Sequence, residues 1–79
     1  MKQDRHSALM TVIVPQVVHL IAERWGVDEV AATREFLTSR TYAVLEDEHT
    51  GVWHYSPETL FLMLEGERES GYVTFPEGA

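Results

Sequence analysis

Five consecutive apolar residues, Leu60-Phe61-Leu62-Met63-Leu64, follow directly on the sequence Ser56-Pro57-Glu58-Thr59. Serine caps free backbone N–H groups, proline suits the first helical position, and an acid there faces the positive end of the helix dipole. A helix is therefore expected over 56–69, with Gly71 as its stop. Five apolar residues in a row cover more than one face of a 3.6-residue helix, so this helix must be buried on several sides. In a chain of 79 residues a second chain is one way to bury it.

Two more helices are expected upstream. Met10, Ile13, Val14, Val17, Leu20, Ile21 and Trp25 recur at three- and four-residue spacing, which predicts an amphipathic helix over 7–25. Pro15 falls inside that pattern and either kinks the helix or starts it, since proline removes a donor and crowds the carbonyl four residues back. Gly26 ends the helix and Asp28 offers a cap for a second one over 28–38, with Val30, Phe36 and Leu37 expected to face the first. The short link makes the two antiparallel neighbours.

Between these helices and the last, the pattern is mixed. Tyr42-Ala43-Val44-Leu45 fits a helical turn or a strand, Glu46-Asp47-Glu48-His49-Thr50-Gly51 reads as a turn, and Val52-Trp53-His54-Tyr55 reads as a strand. A small β-hairpin or short strands are expected around 42–55, and a short edge strand around 72–75, closed by Pro76. The whole of 1–79 is read as one mainly α domain with three principal helices.

Composition narrows the function. Without cysteine there is no disulfide, thiolate metal site or cysteine nucleophile, and a cytoplasmic location is expected. Met1-Lys2-Gln3-Asp4-Arg5-His6 and the short apolar stretch behind it do not form a secretory signal, and no run approaches about 18 consecutive apolar residues, so no membrane association is expected. Thirteen acidic against six basic residues give a net charge of -7, which repels phosphate backbones and anionic lipids and favours a basic partner.

Catalytic and cofactor signatures are weak. His6, His19, His49 and His54 contain no pair four apart of the kind that holds zinc. His49 and His54 could meet across a hairpin beside Glu46, Asp47 and Glu48, but a solvated acidic turn beside a strand histidine explains them better. Ser56 lacks a base and an oxyanion site and is better read as a cap. The carboxylates Glu46/Glu48 and Glu65/Glu67/Glu69 read as solubilising runs, and the scattered glycines form no phosphate loop. No cofactor or metal and no enzymatic activity are expected. The segment from the second helix through Ser39 to Thr41 could mimic a helix-turn-helix, yet it offers only Arg40 before an acidic cluster, which disfavours nucleic acid. In a strand Trp53 and Tyr55 face one way and His54 the other. Trp53 and Tyr55 are read first as closing the core over the first and last helices, and second as a contact surface, where Trp and Tyr are enriched.

The order Val14-Pro15-Gln16, Gly26-Val27-Asp28-Glu29, Phe36-Leu37-Thr38-Ser39, Leu45-Glu46-Asp47-Glu48, Val52-Trp53-His54-Tyr55-Ser56-Pro57 and Phe75-Pro76-Glu77 resembles a family of small uncharacterised bacterial proteins. That family is a domain-of-unknown-function group from gut and other anaerobic bacteria. Some of its relatives lie in gene neighbourhoods like those of toxin-antitoxin or mobile elements. The resemblance spans nearly the whole chain and carries no catalytic or binding role to transfer. It implies at most an acidic, antitoxin-like neutraliser of a basic surface.

The expectation that follows is a non-catalytic protein-protein interaction module, self-associating or bound to a basic partner. Its contact would use the last helix and the aromatic strand through Trp53, His54, Tyr55, Phe61 and Leu62. A regulatory nucleic-acid-associated dimer is the alternative.

Overall fold

A computed structural model describes residues 5–76 of the chain. Four α-helices fold round one core: α1 (Arg5–Trp25), α2 (Glu29–Leu37), α3 (Arg40–Glu46) and α4 (Pro57–Ser70). Two single 3-10 turns, Glu48–Thr50 and Val52–His54, bridge α3 to α4. The expected start at Met1 to Asp4 and the Glu77 of the final motif lie outside the described residues.

α1 runs unbroken through Pro15, so proline neither starts nor ends it. The proline side chain faces outwards, and Thr11, whose carbonyl loses its helical partner to the missing N–H, is also exposed, where water can replace the bond. Ile13, Val17 and Ile21, each four residues on from the last, form the buried stripe, and α1 packs with it on both α2 and α4.

α2 starts on Asp28, whose carboxylate accepts the Ala31 N–H at 2.7 Å. Its inward residues are Ala32 and Phe36, while Val30 and Leu37 are exposed, so only Phe36 of the three expected contacts reaches the core. The reason is angular: residues 32 and 36 share one face of the helix, and 30 and 37, seven apart, share another turned away from it. Asp28→Ala should remove the cap and lower stability by about 1 kcal/mol, read as a shift in urea midpoint at unchanged slope.

The expected hairpin over 42–55 does not form, and no described residue lies in a strand. Residues 42–45 belong to α3 because three hydrogen bonds at its start favour helix there. Ser39 accepts the Tyr42 N–H at 3.0 Å as N-cap, and the Glu67 carboxylate, reaching over from α4, accepts the N–H groups of Arg40 and Thr41 at 2.9 Å each. Thr41 and Leu45, four apart, are both fully buried, whereas Ala43 between them is exposed, a burial period of four rather than two. Tyr42 meets Phe36 edge to face at 5.3 Å, joining α3 to α2.

Beyond α3 the chain coils tightly instead of extending. Asp47 accepts the His49 N–H, the Thr50 hydroxyl donates to the carbonyls of Val44 and Asp47, and Gly51 takes a left-handed φ of 74° that a side chain would resist. Val52 and Trp53 are thereby turned into the core, and the Trp53 indole N–H donates to the Glu48 carbonyl at 2.9 Å. An edge strand at 72–75 would need a ladder to join, and the 3-10 turns offer none. That segment is irregular, with Val73 against the core and Tyr72 and Phe75 exposed.

α4 begins as its sequence dictates, with Ser56 accepting the Thr59 N–H and Pro57 at the first position, and it ends at Gly71 in a left-handed conformation. Leu60, Phe61, Met63 and Leu64 are all buried against the rest of the domain, leaving only Leu62 exposed. The surplus apolar character of this helix is satisfied within one chain: α1 packs against it on one side and α3 on another.

Candidate interaction surface

The five residues expected to form a contact surface are divided by the fold. Phe61 is 1% exposed and Trp53 8%, so both are core. Trp53 also meets the His6 ring edge to face at 5.3 Å, and the His54 ring centroid lies 4.0 Å from its own. Tyr55 is half-buried and packs on the core, leaving His54 and Leu62 as the exposed members. The 3-10 turn at Val52–His54 causes the split, since it lacks the alternation of a strand that would put Trp53 and Tyr55 on one face.

His6 is more deeply buried than its place near the start of the chain suggests. Its Nε2–H donates to the Leu45 carbonyl at 3.0 Å, pinning the first turn of α1 to the end of α3. His19 sits 3.6 Å from Glu23 and His49 3.5 Å from Asp47, both on the surface. Among the described residues no group of three or more His, Asp or Glu side chains converges as a metal site.

Glu67 is the most perturbed carboxylate. Partial burial pushes its carboxyl up, but the N–H groups of Arg40 and Thr41, the Thr41 hydroxyl at 2.8 Å and the Arg40 charge outweigh that, and the net shift is downward. α2, Thr38-Ser39 and α3 do form a helix, a tight turn and a helix. The N-terminus of α3, which a helix-turn-helix would present to base edges in the major groove, is already filled by this carboxylate.

Two of the shallow grooves among the described residues are bordered by α1 and α4. One, of about 520 Å³, lies between Trp25, Val27, Glu35 and Glu65 and is crossed by Arg68. The Arg68 guanidinium stacks over the Trp25 ring at 4.2 Å and stands 3.9 Å from Glu35, while the Trp25 indole N–H points to Glu65 at 3.4 Å. These groups pair with one another rather than facing an empty space. The other groove, of about 620 Å³, runs beside Pro15, Gln16, His19 and Leu20 of α1 and Pro57 and Glu58 of α4.

The surface that sequence reasoning overlooked is the outer side of α1. No Asp, Glu, Lys or Arg lies between Arg5 and Glu23, although charged residues make up 24% of the chain. Residues 5, 9, 12, 16, 19 and 23 are all exposed and follow a four-three-four-three-four spacing, so they fall in one narrow stripe. Leu9 and Val12 are its apolar members, Val12 being 53% exposed. This lack of charge gives α1 a mean hydropathy of 1.2 over its most apolar 18 residues, long and apolar enough to cross a membrane by length and composition, yet only 28% of that window is buried in the domain. The signal was present in the sequence as a charge gap, hidden behind the stronger inward periodicity of the same helix.

No protein-family model, curated protein or solved structure matches the chain.

Proposed function

We propose that the protein is a non-catalytic protein-protein interaction module whose contact face is the outer side of α1. The observation that carries this reading is the uncharged, partly apolar stripe between Arg5 and Glu23 in a chain of net charge -7. A partner meeting that face strips water from apolar and amide groups without having to desolvate a charge, which is the composition expected at the centre of an interface. The acidic remainder of the surface would repel nucleic acid and leave this uncharged face as the place of approach.

Val12→Asp tests the assignment, because Val12 is exposed and its replacement leaves the core untouched. Sedimentation of the wild type, alone and with the product of the adjacent gene, should reveal an association that Val12→Asp abolishes at unchanged helical circular dichroism. Leu62→Glu, on the exposed residue of α4, should leave that association intact. Loss in Leu62→Glu but not in Val12→Asp would move the contact to α4, and a wild type that stays monomeric and takes up no partner would sink the reading.

A further inference from the structure

Resting on that reading of α1 as a contact face, the geometry points to a second copy of this chain as its occupant, with the two α1 helices antiparallel across a two-fold axis that passes between Val12 and Gln16, at the level of residue 14. A two-fold of this kind pairs residues whose numbers are equally distant from the axis. The exposed stripe is symmetric about it: Arg5 meets Glu23 of the other copy, Leu9 meets His19, and Val12 meets Gln16. The four-three alternation is also the spacing by which facing layers of an antiparallel helix pair interlock.

Charge selects this arrangement over others. Two chains of net charge -7 repel across most of their surfaces, and the charge-free length of α1 is where they can approach. Arg5 and Glu23 stand about 27 Å apart along the axis, and only the antiparallel pairing places opposite charges at both ends at once. A parallel pairing stacks Arg5 on Arg5 and Glu23 on Glu23. A membrane surface fits less well, because interfacial helices border their apolar face with Lys and Arg, and α1 borders it with one arginine and one glutamate at opposite ends.

Charge exchange and cross-linking test the pairing on the full chain. Arg5→Glu puts an acid in the first turn of α1, and Glu23→Arg a base in the last, both favourable to the helix dipole, so neither substitution should unfold the protein. Each should raise the dimer dissociation constant about tenfold, and the double exchange should return it to within about threefold of the wild type. The chain has no cysteine, so mixing the Val12→Cys and Gln16→Cys proteins under mild oxidation should give the disulfide between positions 12 and 16 in preference to 12–12 or 16–16.

A dimer that is indifferent to both exchanges, or that cross-links 12 to 12, overturns this pairing while leaving the interaction reading in place. A chain that remains monomeric yet binds another protein through Val12 does the same. A chain that is monomeric and partnerless removes both. Flotation on phosphatidylcholine vesicles, lost in Val12→Asp, would assign the face to a membrane and overturn the dimer.

Discussion

Phe61→Ala should unfold a large fraction of this domain, whereas Leu62→Ala, one residue along the same helix, should leave its stability within about 0.5 kcal/mol of the wild type. Phe61 is 1% exposed, lies at 6.0 Å from the Trp25 ring and has the Arg24 guanidinium over its face at 5.2 Å. Emptying such a site removes the transfer free energy of the ring and leaves a cavity between α1 and α4, a loss of about 3–5 kcal/mol. A domain of this size has only about 4–12 kcal/mol in total. Leu62 is 54% exposed, so its truncation removes little buried surface, and alanine is the better helix former. Thermal melts of the two variants side by side decide the matter. Equal destabilisation would mean that Leu62 is buried in solution by another chain, and would restore the α4 surface that the sequence suggested.

Glu67→Ala should also be damaging, although the residue is polar and stands in an acidic run. Its carboxylate accepts hydrogen bonds from the Arg40 N–H, the Thr41 N–H and the Thr41 hydroxyl, so α4 caps α3 from across the fold. Thr41 is fully buried, and removing the carboxylate leaves donors there that water reaches poorly. The expected loss is about 2 kcal/mol, or about 10 °C in midpoint for a domain this small.

The same carboxylate makes this loss depend on pH. Its folded pKa is depressed below the unfolded value, so its contribution is fully present above the ordinary glutamate range and is lost as pH falls through the folded value. The gap in stability between wild type and Glu67→Gln should therefore be constant near neutrality and narrow below about pH 4. A gap that does not change with pH would show that the charge on Glu67 plays no part in capping.

These two residues also show what could be read in advance. Glu67 looks like one of three solubilising acids, Glu65, Glu67 and Glu69, and nothing local distinguishes it. Its role depends on Ser39 starting one helix where the side of another passes, a meeting of segments 26 residues apart. Tyr42 to Leu45 was equally open to strand or helix on propensity. The capping carboxylate and the Phe36 ring settled it, both supplied from outside the segment.

Of the expected contact residues, Trp53 and Phe61 became core and Leu62 stayed on the surface, because a 3-10 turn and a helix buried on several sides distribute side chains differently from a strand and a half-exposed helix. The outer stripe of α1 was written in the sequence as a gap in charge. It became visible as a surface only once Ile13, Val17 and Ile21 had claimed the inner face.

The sequence by itself determined the two helices that carry their own caps, the Asp28-capped second helix and Ser56-Pro57 through Gly71, where the deciding interactions lie within one turn of the residues that make them. For the periodic 7–25 it determined that a helix forms but left its start open at Pro15. Only the tertiary structure decided α3, the coiled 47–55 connection and the division between core and surface on α4. There the competing local preferences differ by less than the free energy of burying a ring or satisfying a buried donor, and the partners for both come from distant parts of the chain.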